Sequence, residues 1–80
     1  MKKLNEPASV DAVKQFLVDS IIGIIEKRKW TQKQAAFELG ITQPRMSNLA
    51  NSKIDNFSTD FLIAKLMQIG GQIELKVKNV

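Results

Sequence analysis

The 80-residue chain contains no cysteine, no histidine and no tyrosine. Without cysteine there are no disulfides and no thiolate metal sites. Without histidine the commonest general base and metal ligand is missing. The acids Glu6, Asp11, Asp19, Glu26, Glu38, Asp55, Asp60 and Glu74 form no evident pair or metal constellation, and no Walker-type glycine-rich loop occurs. Neither an enzyme nor a cofactor is expected. The longest apolar run, Ile21–Ile25, falls far short of the roughly 20 residues that cross a bilayer. The basic start Met1–Lys3 leads into Asn5, Glu6 and Pro7 and not into an apolar segment, so no signal peptide is read. A cytoplasmic protein without membrane contact is the expectation. A chain this short makes one domain with a marginal core, which favours oligomerisation.

The charge is unevenly spread. Lys27, Arg28, Lys29, Lys33, Arg45 and Lys53 face only Glu38 between residues 27 and 53, so six cations less one acid leave +5 there. The rest of the chain holds six bases and seven acids, or −1. A localised basic patch is the electrostatic footprint of a nucleic-acid binder, although a charge run alone is also the ordinary mark of a solvated surface.

The same segment carries the sharpest pattern, TQKQAAFELGITQPRMSNLANSK from Thr31 to Lys53. Thr31 caps a first short helix, with Gln34 completing a capping box. Ala35, Ala36 and Leu39 form its apolar side, and the paired alanines permit close approach of another helix. Gly40 stands where a helix ends in a left-handed residue, and Ile41 folds back. Thr42 caps a second helix over about Gln43–Ala50, with Pro44 in its first turn. Met46 and Leu49 face inward with Ile41. Gln43, Pro44, Arg45, Ser47 and Asn48 face outward with no acid among them. Gln, Arg and Asn match the donor and acceptor pattern of base edges in the major groove.

This run, with TQxxAAxxLGITQPRMSNLxxxK, resembles the helix-turn-helix of Xre/Cro-type repressors. The following IDNFSTDFLIAKLMQIGGQIELKV is similar to a subgroup that includes small HigA-type antitoxins of type II toxin–antitoxin pairs, a wording that solitary, phage and plasmid regulators share. The resemblance covers about residues 15 to 78. It implies a mainly α, four-helix lambda-repressor-like domain. It implies base reading by Gln43, Arg45 and Asn48, with Pro44 and Ser47 adding shape, and phosphate positioning by Gln32, Lys33, Asn51 and Lys53. Phe37 departs from the pattern, in which a polar residue is commoner.

The flanks complete the expected fold. Residues 1–8 are a polar, proline-containing start that frays. Residues 9–69 make the helix-turn-helix domain. Ser9 caps helix 1 over about Val10–Lys29, with Asp11 in its first turn and Val13, Leu17, Ile21 and Ile24 facing the core. Phe16, Val18, Ile22 and Ile25 make a second greasy side, covered either by the last helix or by a partner. Trp30 plugs the corner between helices 1 and 2. Ile54–Asn56 is a loop. Phe57 and Leu62 staple the start of helix 4 around Ser58, with Asp60 in the first turn. Helix 4 spans about Thr59–Ile69, with Phe61, Leu62, Leu66 and Ile69 as its stripe and Met67 as filler. Gly70-Gly71 stops it and opens a dimerisation segment over residues 70–80. There Ile73, Leu75 and Val77 alternate with Glu74 and Lys76, the pattern of a half-buried strand. Pairing antiparallel with a second copy about Leu75 sets Glu74 opposite Lys76 and Ile73 opposite Val77. A tail lying on its own helices and addition to a partner's sheet are the alternatives.

The function expected is therefore a sequence-specific repressor. As a homodimer it would read a palindromic operator in double-stranded DNA, with half-sites about one helical turn apart or a multiple of it. In the antitoxin version it represses its own synthesis. An alternative is a protein-binding antitoxin whose main role is neutralising a cognate toxin.

Overall fold

The computed structural model describes residues 9–71. Four helices follow one another: α1, Val10–Lys27; α2, Gln32–Leu39; α3, Gln43–Ala50; and α4, Thr59–Gln68. A 3₁₀ turn at Ile54–Asn56 occupies the expected loop between α3 and α4. No strand occurs among the described residues. The strand expected at Ile73–Val77, its dimer pairing and the fraying start at residues 1–8 lie outside them.

Every helix starts in the same way. The hydroxyls of Ser9, Thr31, Thr42 and Ser58 accept from the backbone N–H three residues on, at Ala12, Gln34, Arg45 and Phe61, over 3.0–3.3 Å. Each satisfies a donor that a helix leaves orphaned at its start. Only half of the box expected at α2 forms. Gln34 does not reach back to Thr31; its Nε2 donates to Glu38 Oε2 at 2.8 Å, one turn ahead.

Every helix also ends in the same way. Lys29, Gly40, Ser52 and Gly70 take left-handed backbone, with φ of 58°, 67°, 57° and 91°. Behind each, the next N–H folds back five residues: Trp30 to the Ile25 carbonyl, Ile41 to Ala36, Lys53 to Asn48 and Gly71 to Leu66, over 2.9–3.1 Å. Each left-handed residue itself donates three residues back, to Glu26, Phe37, Leu49 and Met67, at 3.1 Å. These paired bonds are the Schellman motif. The two glycines mark two ends in the sequence, whereas Lys29 and Ser52 hide theirs. Helix 1 therefore closes at Lys27, two residues before the expected Lys29. Helix 4 closes at Gln68, with Ile69 as its cap.

Thirteen apolar residues form one core, and no polar side chain among the described residues is buried. From α1 come Leu17, Val18, Ile21 and Ile25, a stripe rotated from the expected one, leaving Val13 and Ile24 at its margin. The rotation follows from α4, which packs along α1; of the second greasy side Val18 and Ile25 are buried, while Phe16 and Ile22 stay half-buried. Leu62, Leu66 and Ile69 of α4 are buried, Phe61 is half-buried, and Met67 is solvent-facing at 62% exposure instead of filling the core. Trp30 packs against the core edge half-buried, with the Arg28 guanidinium 5.1 Å from its ring centroid. The staple residues Phe57 and Leu62 are both fully inside. Among the described residues, neutral side-chain hydrogen bonds also reach between distant segments. Gln15 Nε2 donates to Ser52 Oγ at 3.2 Å, and Gln68 Nε2 donates to the Glu38 carbonyl at 2.8 Å.

A left-handed non-glycine residue costs about 1–2 kcal/mol, and glycine's extra unfolded entropy returns about 0.5–1 kcal/mol of the gain from replacing it. Lys29→Gly should therefore raise stability by about 0.5–1 kcal/mol, read as a higher urea midpoint. Ser52→Gly should gain less, because it also deletes the bond from Gln15. Conversely, Thr42→Ala should cost about 1 kcal/mol by uncapping α3. The urea midpoint should then fall with an unchanged m-value; a changed m-value would mean that more than the cap was altered.

Candidate nucleic-acid interface

Three residues, Gly40, Ile41 and Thr42, separate α2 from α3. So short a connection turns the chain because Gly40 enters the left-handed region, where a side chain would be strained. Ile41 then tucks against the core, and Thr42 immediately caps the next helix. Ala35 and Ala36 are both buried, and their small side chains bring α3 close to α2. Met46 and Leu49 anchor α3 at about 1% exposure each, which fixes its rotation about its own axis. The opposite side consequently faces solvent.

On that side Gln43, Pro44 and Asn51 are exposed, and Ser47 and Asn48 are half-buried. The Asn51 amide reaches the Ser47 hydroxyl at 3.5 Å, one turn along the same face. Gln32, Lys33 and Lys53 are all exposed. The residues expected to read bases and those expected to hold phosphates therefore occupy surface around α2 and α3, and none is packed inside.

Arg45 is placed differently from the rest. It sits at the flank of α3, half-buried. Its guanidinium carbon lies 4.6 Å from the Phe57 ring centroid and 5.1 Å from that of Phe61. Those two rings stack on each other, with centroids 5.7 Å apart and planes at 28°. The sequence marked Phe57 and Phe61 only as apolar. Their role beneath Arg45 was invisible because the pairing joins α3 to the start of α4 across the intervening loop. Helical spacing within α3 does give one hint: Arg45 stands four residues before the buried Leu49, on the edge of the inward stripe.

The charges at the helix starts follow the same division of labour. The first turns of α1 and α4 carry Asp11 and Asp60, which suit the positive end of a helix. The first turns of α2 and α3 carry no acid. Lys33 and Arg45 stand there instead, against the dipole. That choice forgoes local stabilisation and leaves two helix starts positive, the arrangement that admits an anion such as a backbone phosphate. Lys27, Arg28 and Lys29 at the end of α1 add exposed positive charge. Phe37 points straight out from α2 at 79% exposure, so the departure noted in the sequence adds nothing to the core. Among the described residues no group of acids, histidines or cysteines is arranged to hold a metal, and no helix is long and apolar enough to cross a membrane.

Comparison with known proteins agrees with this geometry. No curated protein sequence matches the chain. A solved structure whose name assigns it to the XRE family of transcriptional regulators superposes with a TM-score of 0.82 at 28% identity, covering 89% of this chain and 80% of that one. A family model described as a helix-turn-helix domain matches residues 4–78. With nearly its whole length spanned by that model, the chain belongs to the helix-turn-helix domain family.

Proposed function

We propose that the protein is a sequence-specific DNA-binding transcriptional regulator that lays α3 in the major groove. One observation carries the reading. The side of α3 opposite Met46 and Leu49 has no buried residue and no acid, and it is framed by exposed cations on α2 and beyond α3. Asn48 and Gln43 supply paired amide donors and acceptors suited to adenine, and Arg45 supplies a guanidinium suited to guanine. Pro44 and Ser47 shape the approach. Gln32, Lys33, Asn51 and Lys53 hold phosphates and set the register, a role that carries no sequence information itself.

A twofold assembly fits this role, because a single eight-residue helix reads too few base pairs to single out a site. The alternating segment Ile73–Val77, with Glu74, Leu75 and Lys76 between, is the proposed seam, so that two copies read a palindromic operator. Repression of the protein's own gene, with a cognate toxin as protein partner, is the narrower version of this proposal. It is supported by the similarity of residues 54–77 to HigA-type antitoxins. The exposed Phe37 and Met67 give such a partner apolar surface to bury.

Selection of bound duplexes from a random pool tests the reading directly. The expected outcome is a short motif repeated with twofold symmetry; failure to enrich any motif would sink the proposal. On the enriched duplex, Arg45→Ala should cost about 1–3 kcal/mol and relax preference at one base position. Lys53→Ala should weaken all duplexes alike and lower the slope of log affinity against log salt by about one. Both are read by titrating labelled duplex at several salt concentrations.

A further inference from the structure

Arg45 is half-buried, yet among the described residues its guanidinium donates no hydrogen bond and makes no ion pair. What it does have is the pair of rings of Phe57 and Phe61 at 4.6 and 5.1 Å. A guanidinium resting its flat face on aromatic rings keeps its in-plane N–H groups unspent. Arginine otherwise carries large rotamer entropy, which a bidentate contact has to remove.

We infer that Phe61, together with Phe57, is a positioning residue that holds Arg45 in place before DNA arrives, so that its N–H edge meets a guanine without a further ordering cost. The inference deepens the DNA-binding reading and rests on it. The two rings are well suited to the task. Phe57 is 2% exposed, and its ring cannot drift. Phe61 donates its backbone N–H to the Ser58 cap at 3.1 Å, which fixes its backbone at the start of α4, and its ring stacks on that of Phe57. The aromatic support therefore belongs to the part of the fold that packs on α1, not to α3. Base preference at the Arg45 position then depends on a residue that touches no DNA. Lys65 also approaches Phe61, with Nζ 5.3 Å from the ring centroid, and is drawn aside by a 3.3 Å bond to Gln68 Oε1. It leaves the Arg45 contact in place.

The test is a double-mutant cycle on the full chain with Arg45→Ala, Phe61→Leu and both together. The probe is the duplex that the wild-type protein enriches from a random pool, with a scrambled duplex alongside. Leucine keeps the apolar volume and removes the ring face; thermal melts check that the variant folds. Phe61→Leu should weaken the enriched duplex about three- to tenfold, the range of a partly desolvated cation–π contact. It should leave the scrambled duplex unchanged and cost nothing further in the Arg45→Ala background. The Arg45 side-chain protons of the free protein should be shifted upfield by the rings and relax toward ordinary values in Phe61→Leu. Equal losses on both duplexes, additive losses in the cycle, or no upfield shift in the wild-type protein would each overturn the inference while leaving the DNA-binding reading intact. An unfolded Phe61→Leu passes the same cycle to Phe61→Met, which is judged by the same outcomes. Failure of the wild-type protein to enrich any duplex would bring down the DNA-binding reading, and this inference with it.

Discussion

Two helices of eight residues each cannot persist in water by their own hydrogen bonds, because a helix that short spends most of its length on unsatisfied ends. The fold depends on dealing with those ends. A serine or threonine hydroxyl closes every start, and a left-handed residue folds the chain back at every finish. Only then do Ala35, Ala36, Leu39, Met46 and Leu49 present small, well-placed apolar faces to the common core. Capping supplies the definition of the helices and burial supplies their adhesion. The angle between α2 and α3 comes from both, through the three residues that join them.

This division explains why so much of the fold was legible in the sequence. Hydroxyl caps at Ser9, Thr31, Thr42 and Ser58 are local signals, as is glycine at positions 40 and 70, and all are where the sequence places them. Lys29 and Ser52 adopt the same left-handed turn without glycine's signature, which is why α1 was read two residues too long. The core stripe of α1 keeps Leu17 and Ile21 as expected but turns toward Val18 and Ile25, leaving Val13 and Ile24 at its margin. That helix is greasy on two sides, and periodicity alone cannot choose between them. Only α4, distant in the chain, decides the matter. Met67 shows the reverse error: an apolar residue in an apolar turn that nothing covers among the described residues.

The placement of the candidate interface residues was legible to a similar degree and for a similar reason. Once Met46 and Leu49 are known to point inward, helical geometry sends Gln43, Pro44, Ser47 and Asn48 outward, and the sequence suffices for that. Arg45 required the tertiary structure, because its surroundings come from residues twelve and sixteen positions on. A basic, polar helix face is thus easy to see in one dimension. The rigidity of any single side chain on it is set by packing that only three dimensions reveal.

The absence of tyrosine has a practical consequence. With no tyrosine and one tryptophan, essentially all of the near-ultraviolet emission of this chain arises from Trp30. That indole sits where the C-terminal fold-back of α1 hands over to the cap of α2, with a guanidinium over its ring. Its brightness and colour therefore report on one corner of the molecule. The protein carries its own optical gauge, built into the corner between α1 and α2.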